Sequence, residues 1–345
     1  PGLDASPAQD TGSAPVADAS GPDPTDPTDP TDPTDPTDPT DPGPGTSPDP
    51  GSPVAVGCLD GDYEEVLPDP TVDISGPVAA YNAAGVEAFV LEVLGLRYPI
   101  GQYLVEQALG NLSFGNCVSA FLWDTSSAQG VIGSLSTVVH ECGHFADIDL
   151  SFASWNNSYI ITESLTYECN GGGMSSQGGQ TFARSLLTSD NFSSLRPPCP
   201  EGSFGDGACD TYANTYLTGD SGNQGFDMLI EEAVQYVNSL ATGYAFNDYY
   251  TWGVSERDGI ATFLWYLERY LYLARTQYPA THQFLLSDNC WRELILTTWG
   301  RAWLYLSVTE DMSQLGLSDD VILPLVMDEG LLAEIQAVRD AHGCP

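Results

Sequence analysis

The sequence predicts an α+β fold, predominantly helical, on three observations. Apolar residues recur at three- and four-residue spacing from Val86 to Leu96, Phe226 to Ala241, Glu256 to Gln277, Asn289 to Ser307 and Gly330 to His342, the period of a helix with one buried face. Val118 to Trp123 has the β-branched and aromatic character of a strand. Finally, no run approaches the roughly 18 apolar residues that would cross a bilayer.

Residues 1–57 lie outside that pattern. They contain no Cys, no aromatic and no basic residue, and cannot bury a core, so a disordered acidic linker is expected, with the folded region beginning near Cys58. From Thr25 to Pro42 the triplet Thr-Asp-Pro runs six times without interruption, and Pro at every third position favours polyproline II. At about 3.1 Å per residue this spacer extends roughly 55 Å. The chain opens at Pro1 with no basic and apolar signal segment and reads as already processed. Its acidic start resembles the tether that follows the lipidated Cys of a bacterial lipoprotein, which implies a lipid anchor upstream of Pro1.

Charge narrows the partners. The formal net charge is −39, every basic residue is Arg, and no Lys occurs. Eleven Asp fall in residues 1–57, which leaves 37 acids against nine Arg in the remainder. Such a field repels nucleic acid and anionic membrane surfaces and attracts cationic peptides and metal ions, although solubility alone accounts for an acid excess in a secreted protein. The eight Cys all lie beyond residue 57 and lack the CxxC spacing of a thiolate cluster, so disulfides and an oxidising, extracytoplasmic compartment are expected. Spacing favours local closure of Cys199 with Cys209, a tied-down end at Cys344, and a bridge from Cys142 to the segment carrying Cys117 or Cys169.

A Gly-rich loop from Asn170 to Gly179 and a short helix near Thr181 to Leu187 separate the two halves of the folded region. Before that loop, His140-Glu141-Cys142-Gly143-His144 places two imidazoles one helical turn apart, where both can reach one ion. Glu141, beside the first His, can enter the same cleft as a general base. Cys142 lies about 200° round the helix from each His and faces away from the metal. A catalytic zinc site commonly takes a third protein ligand. Glu163 is favoured: eighteen residues intervene between it and His144, and the alternation Ile160 to Tyr167 leads toward a helix. Glu231 and Glu232, in Met228 to Tyr236, are its rivals.

His140, Glu141, His144 and Glu163 resemble the gluzincin clan of zinc metallopeptidases, at the spacing of the aminopeptidase type, and Thr162-Glu163-Ser164-Leu165-Thr166-Tyr167 is similar to the stretch around that type's third ligand. The resemblance covers residues 136–168. It implies a zincin-like catalytic subdomain over about 58–180, a helical subdomain over about 200–345, a cleft between them, Zn²⁺ as cofactor and a peptide or protein as substrate. Hydrolysis would proceed by Glu-assisted attack of water at the zinc. A catalytically inactive zincin-like binding or adhesion module on a stalk is the alternative, and a structural metal site with a fourth protein donor a further one.

The metzincin and aspzincin patterns are not completed, because Asp147 and Leu150 occupy the diagnostic positions. Asp147 is expected as a solvated surface acid rather than a partner of a liganding His. His282 and His342 are lone histidines; Tyr236, Tyr244 and His282 are the candidates for an oxyanion donor.

Overall fold

The computed structural model describes residues 53–110, 115–171, 182–200 and 207–345. The Thr-Asp-Pro repeat, most of the expected linker and the Gly-rich loop lie outside them. The described chain is in contact with the core from its start: the Pro53 carbonyl accepts hydrogen bonds from Trp299 and Arg339, and Val54 and Ala55 pack on the apolar cluster.

After the short helix α1 (Ser75–Ala80), α2 (Val86–Arg97) forms where the periodicity predicts it and buries Phe89, Val90, Val93 and Leu94. Pro99 opens α3 (Pro99–Gly110), in the first-turn position where its missing N–H costs nothing. The expected strand at Val118 to Trp123 is instead helix α4 (Cys117–Phe121). Asn116 caps it by accepting from Ser119 N–H, and the Cys117–Cys142 disulfide fixes it to the motif helix, overriding a β-prone composition. Ser127 caps α5 (Ala128–Ile132) in the same way. The motif helix, α6 (Leu135–Ser154), ends at Trp155 in the left-handed conformation.

Strands β1 (Asn157–Thr162) and β2 (Leu165–Cys169) pair antiparallel, Tyr159 opposite Tyr167, and form the two-stranded sheet of the described residues. Ile160 to Tyr167 therefore does not lead into a helix. Its alternating apolar residues pair across a hairpin, and the Ile160 N–H is taken by the Asp147 carboxylate.

The rest is helical. Two one-turn helices, α7 (Ala213–Tyr216) and α8 (Gly219–Gly222), precede α9 (Phe226–Ala245), almost every residue of which is buried. Helices α10 (Glu256–Gln277), α11 (Pro279–Ser287), α12 (Asn289–Val308), α13 (Asp319–Val326) and α14 (Glu329–His342) follow, and Asp288 and Asp328 cap α12 and α14. Helix α9 packs on α6, α10 and α12, so one contiguous apolar cluster runs from Cys58 to Val338 rather than dividing into two cores. Disulfides join Cys58 to Cys344, Cys169 to Cys290 and Cys199 to Cys209, in addition to Cys117–Cys142. Four bridges fit an oxidising, extracytoplasmic environment. No helix among the described residues is long and apolar enough to cross a membrane.

Buried charge ties the helices together. Arg301 on α12 donates to Glu65, to Asn238 on α9 and to the Tyr98 hydroxyl, and both Arg301 and Glu65 are almost fully enclosed. Removing one partner strands the other without solvent. Arg301→Leu is expected to cost about 3–5 kcal/mol in urea unfolding with the disulfides intact, whereas the double change with Glu65→Met recovers most of it.

Candidate metal centre

Helix α6 holds the imidazoles of His140 and His144 with ring centroids 4.6 Å apart, as one-turn spacing requires. Helix α9 crosses beside them at close range. A Cβ added at Gly143 would lie 1.9 Å from the Gln235 side-chain oxygen, so the Gln235 amide takes its place against α6 because residue 143 has no side chain.

That proximity divides the two adjacent acids of α9 between two tasks. Glu231, completely buried, sits 2.6 and 2.7 Å from His144 Nδ1, and Ser239 Oγ sits 3.0 Å from His140 Nδ1. With Nδ1–H of each ring donated to these acceptors, both Nε2 lone pairs point the other way. There they meet Glu232 Oε2, which is 3.5 Å from each Nε2. Glu232 Oε2 is buried without a hydrogen-bond partner, which costs free energy unless something else satisfies it. Ligand lengths of about 2.0–2.2 Å at tetrahedral angles put neighbouring donors about 3.3–3.6 Å apart, so the spacing and donor chemistry of His140, His144 and Glu232 fit a metal ion.

Charge follows the same geometry. Burial alone pulls the His144 pKa down, but Glu231 and Glu232 outweigh it and hold the group well above its ordinary value near 6.5. Burial raises Glu232, and the charge of His144, the closeness of both imidazoles and the charge of Arg184 more than reverse this.

Glu141 lies half-buried between the two His on α6. Across the site, Tyr236 packs edge-on against His140 with ring centroids 4.7 Å apart, and its hydroxyl is 2.8 Å from that of Tyr216. Burial first, then the charges of Glu232 and Glu141, raise the Tyr216 phenol well above its ordinary value, so it stays protonated as a donor. Among the described residues no comparable contact is found for Tyr244, and burial, then the charges of Glu334 and Arg275 rather than those of the centre, set the lowered pKa of His282.

Several expectations change. Glu163 occupies the exposed turn between β1 and β2, outside the group of donors that could share an ion; the third carboxylate there is Glu232, the rival weighed beside it. The hairpin supplies the reason, since a residue at its two-residue turn is held away from α6. Asp147 is not a solvated acid: it is fully buried, accepting from Ile160 N–H and from Gln235 Nε2, and burial followed by the charge of Glu231 raises its pKa. Cys142 is bridged and buried, facing away from the ion as its helical position requires. Ser239 and Gln235 had no sequence signal of their own. Glu231 and Glu232 did, because two acids inside the apolar run Met228 to Val234 must be compensated if that helix is buried.

No protein-family model, curated protein or solved structure matches the chain.

Because Gly143 sets the distance between α6 and α9, Gly143→Ala must push Gln235 aside. The expected result is about 1–3 kcal/mol lower stability, together with roughly 10–100-fold weaker binding of any divalent metal ion the centre takes, read in a competition titration, as Glu231 loses its seat on His144.

Proposed function

We propose that this protein is an extracytoplasmic zinc-dependent peptidase in which His140, His144 and Glu232 hold the ion and Glu141 is the general base. The observation that carries the proposal is the convergence of both Nε2 atoms on the unpartnered Glu232 Oε2, 3.5 Å from each, beside a half-exposed Glu141. Zinc, when bound, polarises the scissile carbonyl and lowers the pKa of water toward neutrality.

The protein residues do the rest. Glu141 accepts a proton from the attacking water and returns it to the leaving amine. Glu231 and Ser239 hold the two imidazoles in the tautomer and orientation that leave Nε2 free. The paired Tyr216 and Tyr236 hydroxyls are placed to donate to a developing oxyanion. A purely structural site would close the coordination sphere with a fourth protein donor, but among the described residues the group contains three, and both Glu231 oxygens are engaged by His144. The gluzincin resemblance supports the reading through His140, Glu141 and His144; with Glu232 as third ligand, the aminopeptidase-type spacing to Glu163 does not define the specificity.

Metal analysis of the purified chain is expected to give about one zinc per molecule, with Glu232→Ala weakening binding at least about tenfold and Glu163→Ala leaving it unchanged. The opposite pattern in the two variants would return the third ligand to the hairpin.

Glu141→Gln is expected to keep its zinc while peptide cleavage falls about 10²–10⁴-fold, measured on a quenched-fluorescence peptide library with chelator and zinc add-back as controls. Wild-type turnover in that variant would remove Glu141 from the mechanism.

A further inference from the structure

Arg184 differs from the other buried arginines. Arg97, Arg257, Arg269, Arg301 and Arg339 are each paired to a carboxylate. Arg184 is fully buried, yet its side chain donates to two backbone carbonyls, Tyr216 at 2.6 Å through Nε and Met228 at 3.4 Å through Nη1. Its Nη2 is buried without a hydrogen-bond partner. Enclosing a guanidinium on these terms costs free energy.

The two carbonyls tie together the parts of the chain that carry Tyr216 and Glu232. Met228 lies one turn before Glu232 on α9, and Tyr216 is the last residue of α7. A helix of one turn does not hold its own shape. Instead, Asp210 accepts from the Tyr212 and Ala213 N–H groups at the start of α7, and Arg184 binds the Tyr216 carbonyl at its end. The guanidinium also lies 5.5 Å from the centroid of the Tyr216 ring, and the Arg184 N–H is held by the Gln224 carbonyl just before α9. From Tyr216 the contacts run to the metal donors: its hydroxyl is 2.8 Å from that of Tyr236, whose ring packs on His140.

We propose that Arg184 is a positioning residue for peptide hydrolysis: by joining the Tyr216 and Met228 carbonyls, it fixes the Tyr216 hydroxyl, as oxyanion donor, relative to the helix that carries Glu232. This rests on the peptidase reading above. A planar fork reaches two acceptors at once in fixed directions, which an ammonium on a flexible stem does not. Arg184 acts through Tyr216 and takes no part in proton transfer.

The test is a double-mutant cycle on the full zinc-loaded chain, Arg184→Met against Tyr216→Phe, read on quenched peptides. Tyr216→Phe is expected to lower kcat about 10–100-fold and Arg184→Met about tenfold, each with KM within about twofold, because the donor acts on charge that develops in the transition state. In the Tyr216→Phe background, Arg184→Met should cost less than about twofold. An equal loss in both backgrounds would overturn the proposal, since neither a general loosening of the fold nor the charge of Arg184 acting on Glu232 depends on the Tyr216 hydroxyl. Arg184→Lys, which keeps the charge and loses the fork, should follow Arg184→Met, and it takes that variant's place in the cycle if Arg184→Met does not fold. Wild-type kcat in Arg184→Lys would also overturn the proposal. If the wild-type chain cleaves no peptide, the peptidase reading falls, and the cycle is read by fluorescence anisotropy on a phosphinic peptide, whose tetrahedral anion takes the same donor. Weakening by Arg184→Met that vanishes with Tyr216→Phe would keep the positioning role; additive weakening, or no binding, would remove it together with the peptidase.

Discussion

The centre depends on how closely α9 approaches α6, and that distance is set at Gly143. With Gln235 pressed against the bare backbone of the motif helix, Glu231 and Glu232 fall on opposite sides of the His144 ring. Neighbours on a helix are separated by about 100°, so a single crossing can give one acid to Nδ1 and the next to Nε2. Rotation or sliding of α9 by one residue would carry Glu231 to the Nε2 side and Ile230 to the Nδ1 side. It would leave the orienting acceptor where the ion belongs and no acceptor behind the ring. The remaining contacts of Gln235 work against such slippage: it donates to Asp147 and Glu231 and accepts from Asn238, which in turn meets Arg301.

This arrangement makes the metal-free centre an ion pair. His144 is held above its ordinary value near 6.5 by the two carboxylates, and Glu232 below its ordinary value near 4.5 by the imidazoles. The sign of each contribution to stability follows. The raised His contributes fully below about 6.5 and loses its contribution as pH rises through the folded value; the depressed Glu contributes above about 4.5 and loses its contribution as pH falls through its own. The pair therefore stabilises the metal-free fold best between those limits. A metal ion held there would replace the proton on Nε2, so its uptake would release protons and strengthen as pH rises.

Much of the helical framework was legible in the sequence. Helices α2, α9, α10, α12 and α14 appear at or within a few residues of the periodic segments, because each buries a stripe whose spacing is a local property. The pairing of His140 with His144 was legible for the same reason: one helical turn brings the two imidazoles together. Failures came where a distant partner decides the local structure. Val118 to Trp123 reads as a strand until Cys117 is bridged to Cys142, and Ile160 to Tyr167 reads toward a helix until Asp147 takes the Ile160 N–H and β2 pairs with β1. The third carboxylate belongs to this second kind. Nothing within reach of residues 136–168 specifies that a helix beginning at Phe226 will lie against them.

A third ligand chosen by its sequence interval assumes that the chain returns to the metal by the shortest path. Here that path is occupied. The segment after α6 must turn at once, because Trp155 ends the helix in a left-handed conformation and Asp147 binds β1 along the side of α6. Its acid, Glu163, emerges at the turn in solvent, where a carboxylate is fully hydrated and gains little by leaving water. Glu232 stands in the opposite situation. It is already enclosed, with an oxygen that finds no donor among the protein's own hydrogen-bonding groups, and a bound cation relieves a desolvation cost that folding has imposed. Glu232 is favoured over Glu163 by where the fold has removed water. The same principle accounts for the arginines, which are spent on buried carboxylates throughout the molecule while the exposed acids are left to solvent and to whatever cations approach.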